Sequence, residues 1–228
     1  MFKLTHKKVV ITGGCSGIGK SIALTFLAQG AEVHVIDLKP AAEPLPSDIN
    51  LHLADITNIE SVKAIADKLG SIDILVNNAG IPQIGNLEKT SPSDFQNIFD
   101  VNVKGAYHCM YAFIPGMIQQ KSGVILNMAS VAASVGIPDR FGYSMTKGAI
   151  KSMTQSVAKD YIHQGIRCNC ISPGRVHTPF VDGFIAKNYP DNQEEMFAKL
   201  SATQPIGRMA QPQEIAHLAL YLCSDEAA

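Results

Sequence analysis

Apolar residues along this chain occur in short continuous runs that alternate with segments of helical periodicity. One apolar stripe extends over 18–27 and ends at Gly30, and another extends over 59–69 and ends at Gly70. Runs this short and continuous are typical of strands buried on both faces of a sheet. Because strand and helix alternate, the pattern predicts an α/β fold with a doubly wound parallel sheet in three layers. The predicted strands lie within 7–14, 31–37, 49–55, 72–78, 123–130 and 166–174.

Two later segments, 182–200 and 212–223, also carry helical stripes, and the first contains Tyr189 followed by Pro190. Because proline interrupts helical hydrogen bonding, we expect the first segment to be a broken, mobile pair of helices. The chain has no internal repeat, low-complexity tract or interdomain linker. We therefore predict a single domain over 1–228, with a substrate loop at about 174–205.

The composition narrows the class of protein. Of the 228 residues, 46% are hydrophobic and 17% are charged, which is typical of a globular chain. The net charge of -1 gives no basic excess for a nucleic acid, and no apolar stretch approaches the ~18 residues of a membrane-spanning helix. The five cysteines follow neither a metal-ligand spacing nor a disulfide framework. We expect free thiols, no metal, no membrane or nucleic-acid partner, and a cytoplasmic location.

A glycine-rich segment, TGGCSGIG at 12–19, lies where the first predicted strand meets the first predicted helix. Gly13 permits a tight turn, Gly17 lets backbone N–H groups approach a pyrophosphate, and Gly19 allows close packing of helix and strand. The strand-to-helix context predicts a dinucleotide-binding Rossmann fold, more firmly than the GGxxGxG spacing alone. The alternative is a glycine-rich turn that binds no ligand.

Asp37 ends the second predicted strand, where a carboxylate can accept both adenosine ribose hydroxyls and repel a 2′-phosphate. Ser16 and Leu38 stand where an arginine or lysine would be expected to bind that phosphate, and only Lys39 is positively charged there. These residues predict NAD in preference to NADP. The alternative is a solvated carboxylate at the end of a strand.

The stretch YSMTK places the phenol of Tyr143 and the ammonium of Lys147 one helical turn apart on the same face. Ser130, at the end of the fifth predicted strand, precedes them. A cation ~4 Å from a phenol, at an effective dielectric constant of about 20, contributes about 4 kcal/mol toward the phenolate. That interaction would lower the pKa of Tyr143 before desolvation of the lysine is counted, and it predicts general acid–base chemistry.

The motifs, in this order and spacing, resemble those of the classical short-chain dehydrogenases/reductases from about Lys7 to Ala228. They are TGGCSGIG, NNAG (77–80), DVNVKG (100–105), Ser130, YSMTK and PGRVHTP (173–179). The resemblance implies that Ser130 polarises the substrate oxygen and that Tyr143 exchanges the proton. It further implies that Lys147 lowers the pKa of Tyr143 and binds the nicotinamide ribose, and that Asn102 holds a relay water.

The resemblance also implies a set of cofactor contacts. Asp55 and Ile56 would flank the adenine, and Val176 with Thr178 would approach the nicotinamide amide. The expected cofactor residues are Gly13, Cys15, Ser16, Gly17, Ile18, Gly19, Asp37, Leu38, Asp55, Ile56, Asn78, Ala79, Gly80, Tyr143, Lys147, Pro173, Gly174, Val176 and Thr178.

Members of that family usually continue through a seventh strand past the point that corresponds to CSDEAA at 223–228. We therefore expect a sheet that lacks its last edge strand. The resemblance also implies a homo-oligomer, dimer or tetramer, built on the helices that follow DVNVKG and YSMTK.

The substrate is expected to contact the loops after the fifth and sixth strands, 131–142 and 174–205. Arg140 is the first candidate for binding a carboxylate, Arg175 and His177 are further candidates, and Gln83 and His163 are weaker ones. Each of them alone has the alternative of a solvated surface residue.

Segments 130–150 and 160–179 resemble the branch of the family that contains 3-hydroxybutyrate, 4-oxoproline and 2-keto-3-deoxy-L-fuconate dehydrogenases. We therefore predict an NAD-dependent oxidoreductase that interconverts a secondary alcohol and a ketone on a small hydroxy acid or sugar acid. One alternative is an enzyme for a neutral sugar, polyol or oxoacyl substrate, which would need other groups than Arg140. Another is a nucleotide-binding sensor without turnover, which has no chemical need for Ser130, Tyr143, Lys147 and Asn102.

Overall fold

The computed structural model describes residues 2–228, with Asn188 described by its backbone alone. These residues contain six strands: β1 Lys8–Thr12, β2 Glu32–Asp37, β3 Ile49–Leu53, β4 Ile74–Asn77, β5 Gly123–Met128 and β6 Ile166–Ile171. They form a parallel sheet in the order β3-β2-β1-β4-β5-β6. The predicted doubly wound sheet of six strands is confirmed, with the strand order of a Rossmann fold.

Helices cover both faces of the sheet. Their bounds, within the described residues, are α1 Gly17–Ala28, α2 Ile59–Leu69, α3 Pro92–Phe99, α4 Gly105–Gln120, α5 Phe141–Tyr161, α6 Pro179–Asn188, α7 Gln193–Ala202 and α8 Pro212–Cys223. One apolar core joins the sheet to α1 and α8 through residues such as Phe26 and Ile215. A second core joins the other face to α2 and α4 through residues such as Val62 and Phe113. The predicted three layers are confirmed.

The ends of α2 illustrate how local chemistry sets the element boundaries. Asn58 caps the helix, since its side-chain oxygen accepts hydrogen bonds from the backbone N–H groups of Glu60 and Ser61. Gly70 ends it in the left-handed region, at a φ of 66°, where a side chain would be strained. The predicted stripe over 59–69 therefore coincides with the helix.

The strand order reverses between β1 and β4. The carboxyl ends of β1, β2 and β4 lie side by side at this reversal. In the sheet register Thr12 lies opposite both Ile36 of β2 and Asn77 of β4. In open parallel sheets, ligands bind outside the carboxyl ends of the strands at such a reversal. The segments that leave β1, β2, β4 and β5 therefore surround the expected binding site.

The chain enters α4 through one turn of π-helix, Asp100–Lys104, that continues directly from α3. Turns of this kind admit an extra residue and occur frequently at functional sites. Here the turn carries Asn102, which is buried with 2% of its surface exposed. No periodicity in the sequence had predicted it.

The substrate loop forms α6 and α7, which pack on a small apolar cluster of their own around Val181, Ile185 and Met209. The predicted break falls between Asn188 and Gln193, so the first segment is a pair of helices, and their mobility stays a prediction. No helix in the described part of the chain is long and apolar enough to span a bilayer. The five cysteines are free thiols, and residues 2–228 hold no cluster of three or more His, Cys, Asp or Glu side chains suited to a metal ion.

Candidate active site

A cavity of about 680 Å³ lies above the carboxyl ends of the central strands. Its lining begins with the glycine-rich loop and the Asp37 carboxylate and continues to Tyr143 and Arg140. A volume of this size is within the range of small-molecule and cofactor sites. The topology therefore places the glycine-rich loop and the YSMTK motif on one cavity.

The glycine-rich loop can approach a ligand closely because it carries no side chains at its tightest points. Gly13 and Gly17 have φ values of 66° and 51°, in the left-handed region. A Cβ on Gly13 would lie 2.9 Å from the Cα of Ala79, and a Cβ on Gly19 would overlap the carbonyl oxygen of Gly13. Ser16 and Gly17 line the cavity at the start of α1, where helical N–H groups lack partners within the helix. This cradle fits the pyrophosphate of a dinucleotide.

Asp37 and Asp55 supply the carboxylates of this end of the cavity. The Oδ2 atom of Asp37 accepts a hydrogen bond from the backbone N–H of Cys15 at 3.0 Å, which fixes the carboxylate beside the glycine-rich loop. Asp55 lies just beyond β3, and its Oδ1 accepts from the N–H of Thr57 at 2.8 Å. Both keep acceptor positions for a ribose or an adenine.

The connection between β1 and β4 is fixed by Thr12 and Asn78. The hydroxyl oxygen of Thr12 accepts from the N–H groups of Asn78 and Ala79, both at 3.1 Å. In return, Nδ2 of Asn78 donates to the carbonyl oxygens of Thr12 and Gly13, at 3.1 and 3.0 Å. The NNAG motif therefore holds the glycine-rich loop in shape, and Thr12 is a supporting residue that the sequence analysis missed.

Ser130 and Tyr143 meet at the other end of the cavity. Ser130 Oγ accepts from the N–H of Ala132 at 3.2 Å, which leaves its hydroxyl hydrogen for another acceptor. Burial raises the pKa of Tyr143, while a hydrogen bond with Ser130 and the positive charge of Arg140 act in the opposite direction. Desolvation of the phenolate outweighs these favourable interactions, and the lowering of the tyrosine pKa by Lys147 stays a prediction.

Lys147 is buried beside Tyr143, with 6% of its surface exposed. Its Nζ donates to the carbonyl oxygen of Met128 at 2.7 Å and lies 5.7 Å from the centre of the tyrosine ring. Burial lowers the pKa of the ammonium to about 8. The ammonium therefore lies between the end of β5 and the tyrosine ring, and the ~4 Å separation of cation and phenol oxygen stays a prediction.

Asn102 connects three segments around the site. Its Oδ1 accepts from the N–H of Ile81 at 2.7 Å, and its Nδ2 donates to the carbonyl oxygen of Ile81 at 2.9 Å and to the hydroxyl of Thr146 at 3.1 Å. Both amide hydrogens are therefore used within the protein. Asn102 is the residue expected to hold a relay water. Within its side chain, only the second lone pair of Oδ1 remains to bind that water.

Arg140 and Arg175 both line the cavity near Tyr143, whereas His177 does not. The Nε of Arg175 is buried and has no hydrogen-bond partner among the described residues. Burial, followed by the positive charge of Arg140, lowers the pKa of Arg175. The prediction that His177 contacts the substrate finds no support here, because His177 Nε2 pairs with Asp182 Oδ1 at 2.8 Å and its ring packs edge-on against Phe197.

Most of the sequence-derived site residues come together on this cavity. Those that line it are Gly13, Ser16, Gly17, Ile18, Asp37, Leu38, Asp55, Ile56, Asn78, Ala79, Gly80, Ser130, Arg140, Tyr143, Lys147, Pro173, Gly174, Arg175, Val176 and Thr178. Cys15, Gly19 and Asn102 lie behind the lining and act through backbone or supporting contacts. Phe180, Phe184 and Gln204 also line the cavity, and their only signal in the sequence is their place in the predicted substrate loop.

Comparisons with known proteins agree with this geometry. A family model described as enoyl-(acyl carrier protein) reductase matches residues 13–228. The chain is 39% identical over 232 aligned positions to dehydrogenase/reductase SDR family member 6 of Aquarana catesbeiana, covering 100% of this chain and 94% of that protein. It is 37% identical over 238 positions to oxidoreductase UcpA of Escherichia coli (strain K12), covering 99% and 90%.

Two solved structures also superpose on nearly the whole chain. The ligand-free aldohexose dehydrogenase of Thermoplasma acidophilum has a TM-score of 0.90 and 33% identity, covering 98% of this chain and 89% of that one. Levodione reductase has a TM-score of 0.90 and 29% identity, covering 98% and 92%.

Proposed function

The chain belongs to the short-chain dehydrogenase/reductase family of NAD(P)-dependent oxidoreductases that act on CH–OH groups, and from this premise we propose that it interconverts the alcohol and ketone of a small hydroxy acid or sugar acid, preferring NAD. When bound, the nicotinamide supplies or accepts the hydride. The remaining chemistry belongs to the side chains of the cavity.

Ser130 and Tyr143 bind the substrate oxygen, and the phenol of Tyr143 takes the proton from the alcohol or returns it to the ketone. Lys147, whose pKa is about 8, is near the point of exchanging its own proton at physiological pH. It binds the nicotinamide ribose and continues the proton path away from Tyr143. Asn102 keeps the segments that carry Gly80 and Tyr143 in register through Ile81 and Thr146.

The charge distribution of the cavity carries the proposal of an acidic substrate. The cations that line it, Arg140, Lys147 and Arg175, belong to the segments at the reactive end. Its carboxylates among the described residues, Asp37 and Asp55, belong to the ends of β2 and β3. Arg175, which lines the cavity beside Arg140, offers an anionic substrate a second guanidinium.

A substrate panel with NAD and NADP in parallel tests this proposal. We expect turnover of a compact 2- or 3-hydroxy acid, a cyclic oxo acid or a 2-keto-3-deoxy sugar acid, and a higher kcat/KM with NAD. Turnover of aldohexoses or uncharged polyols alone would contradict the acidic substrate class. Coenzyme binding without absorbance change on any alcohol or acid would favour a non-catalytic sensor.

Arg140→Ala tests the carboxylate contact directly. We expect KM for the acid to rise roughly tenfold to a hundredfold with little change in coenzyme KM, because a hydrogen bond to a charged group contributes about 1.5 to 3 kcal/mol. Lys159→Ala removes a charge from an exposed position on the same helix and serves as the control. An unchanged KM for the acid in Arg140→Ala would refute the role of this arginine.

A neutral sugar is the second candidate, because a protein of similar structure is an aldohexose dehydrogenase. A neutral sugar requires groups that bind hydroxyls. The two arginines of the cavity favour an acidic substrate over a neutral one. In the same assays, the KM of an aldohexose-specific enzyme for its sugar would rise little in Arg140→Ala.

The family relationship also supports a homo-oligomer. An apolar groove of about 280 Å³ runs between α4 and α5 and includes Tyr107, Tyr111 and Met153. We place the contact with a second copy of the chain on this groove.

A further inference from the structure

The first turn of α5 carries Tyr143, yet the helix lacks a cap of its own. Its N-cap residue, Arg140, makes no side-chain capping hydrogen bond. The first N–H groups of any helix have no partner within the helix, so they need acceptors from elsewhere. In α5 two of these groups belong to Phe141 and Gly142, directly before the tyrosine.

Both acceptors come from a segment that follows β4. The carbonyl oxygen of Gly85 accepts from the N–H of Phe141 at 3.1 Å. The side-chain oxygen of Gln83 accepts from the N–H of Gly142 at 3.2 Å. Gly142 is the second residue of the helix, whose N–H is one of those that a capping side chain normally satisfies. Gln83 therefore acts as the cap, although it lies far from α5 in the sequence.

The Gln83 side chain is itself held in one orientation. Its Nε2 donates to the hydroxyl oxygen of Thr90 at 2.8 Å, and that hydroxyl donates to the carbonyl oxygen of Asn86 at 2.8 Å. The amide oxygen must consequently face Gly142. A Cβ on Gly142 would lie 3.0 Å from the same oxygen, so the contact also depends on glycine at this position.

The same segment contacts both neighbours of Arg140. The N–H of Gly85 donates to the carbonyl oxygen of Asp139 at 3.0 Å, and its carbonyl accepts from Phe141. Gly85 and Arg140 thus form a short parallel bridge. The segment from Gln83 to Gly85 is bonded on each side of the proposed carboxylate ligand and one residue before the proposed proton carrier.

We infer that Gln83 is a positioning residue for the reaction, because its amide oxygen caps α5 at Gly142 and thereby sets the Tyr143 phenol against Ser130. The inference rests on the proposed role of Tyr143. Gln83 does not line the cavity, so it acts through the helix and touches no substrate. Displacement of a reacting group by about 1 Å can reduce the rate about a hundredfold, so a loosened first turn affects turnover more than binding.

Gln83→Met removes the capping oxygen at nearly constant length and volume. Thr90→Val removes the hydroxyl that orients the amide, and Thr90→Ser keeps that hydroxyl. Gln119→Met makes the same chemical change at an exposed position near the end of α4 and is the matched control. None of these substitutions alters the charge around Tyr143, where Ser130, Arg140 and Lys147 are the surrounding polar groups.

The first readout needs neither substrate nor coenzyme. Ultraviolet titration of tyrosinate, taken as the difference between each protein and its Tyr143→Phe counterpart, reports the pKa of Tyr143. We expect a higher midpoint in Gln83→Met, because the hydrogen bond with Ser130 that lowers this pKa is weakened. The midpoint of Thr90→Val should also rise, but by less. The midpoints of Thr90→Ser and Gln119→Met should equal that of the parent protein.

The second readout is kinetic, with the acid of the substrate panel that has the highest kcat/KM. We expect kcat to fall about tenfold in Gln83→Met while KM for the coenzyme is unchanged. A parental midpoint and kcat in Gln83→Met would overturn the inference, and so would equal effects of Thr90→Val and Thr90→Ser. If Gln83→Met does not fold, the Thr90 pair decides by the same criteria.

Tyr143→Phe separates this inference from the proposed function. If that variant keeps turnover, the proposed proton carrier is wrong, whatever Gln83 does. If Tyr143→Phe is inactive and Gln83→Met behaves as the parent, the proposed function stands and the positioning role falls.

Discussion

At the scale of single residues, burial acts on Lys147 and Tyr143 in opposite directions. It lowers the pKa of the lysine to about 8 and raises that of the tyrosine, since in both cases the charged form loses its hydration. The tyrosine therefore holds its proton and the lysine releases its proton more readily than in water. The raised pKa keeps Tyr143 protonated but makes its phenol a weaker acid, and the lowered pKa of Lys147 favours re-protonation of the tyrosinate through the lysine.

The buried ammonium of Lys147 also has a cost for stability. In the unfolded chain the group titrates near 10.5 and in the folded chain near 8, a difference of about 3 kcal/mol. Below pH 8 both states are charged and the cost is fully present. Between pH 8 and 10.5 the unfolded state binds more protons, so the free energy of unfolding rises with pH.

We therefore expect Lys147→Met to be more stable than the parent by about 1 to 2 kcal/mol at pH 7, because the lost hydrogen bond to Met128 offsets part of the gain. At pH 10 this advantage should disappear. Urea denaturation at the two pH values measures it, with Lys159→Met as the control on the exposed face of α5. A constant difference between variant and parent from pH 7 to pH 10 would contradict the assigned cause.

Coenzyme preference is also argued from single side chains. Asp37 is held at the cavity by Cys15, and Leu38 beside it carries no charge. Asp37→Ala combined with Leu38→Arg removes the repulsion of a 2′-phosphate and adds a cation. We expect the ratio of kcat/KM with NAD to that with NADP to fall about a hundredfold, since a like-charge contact costs several kcal/mol. Asp48→Ala, an exposed carboxylate before β3, should leave the ratio unchanged.

At the scale of elements, the π-turn Asp100–Lys104 both continues the chain from α3 into α4 and carries Asn102 of the candidate active site. It directs the Asn102 side chain to the segment after β4 and to α5 at once. The Tyr143 helix and the Gly80 loop are thereby linked through one buried amide.

Asn102→Ala should lower the free energy of unfolding by about 3 kcal/mol, because it leaves the backbone N–H and carbonyl of Ile81 without their side-chain partner and removes the hydrogen bond that the Thr146 hydroxyl accepts. Asn97→Ala, on the exposed face of α3, makes the same change and should stay within about 0.5 kcal/mol. Urea denaturation compares the two. Equal stability of both variants would show that the Asn102 contacts contribute little.

At the scale of the whole molecule, the groove between α4 and α5 is apolar and open. Tyr107 and Tyr111 on its rim are 49% and 53% exposed. Aromatic residues of this kind contribute strongly to interfaces because they bury a large area at a small entropic cost.

Tyr111→Glu should therefore shift the protein to a smaller oligomer or a monomer, as measured by light scattering coupled to size exclusion. Ile206→Glu places the same charge on an exposed apolar residue outside the groove and should keep the parental mass. A monomeric parent protein would refute the proposed oligomer. An unchanged mass of Tyr111→Glu would show that the interface does not include this groove.

The extent of prediction from sequence differed between the fold and the site. The strands, the stripes of α1 and α2 and the span of α8 were predicted closely, because each depends on periodicity over neighbouring residues. The π-turn at Asn102 and the cap at Gly142 were not, because their partners Ile81 and Gln83 are remote in the sequence. The sequence alone indicates Gln83 only as a weak candidate for a substrate ligand, and its absence from the cavity lining argues against direct contact.

The sequence by itself determined the alternation of strand and helix, the glycine cradle, Asp37 at the end of β2 and the one-turn spacing of Tyr143 and Lys147. These features follow from sterics and periodicity within a few residues. The tertiary structure alone decided that Arg175 faces the cavity while His177 pairs with Asp182, and that burial raises one pKa and lowers the other. Desolvation and through-space contact depend on what the rest of the fold places around a side chain, and no local pattern records that.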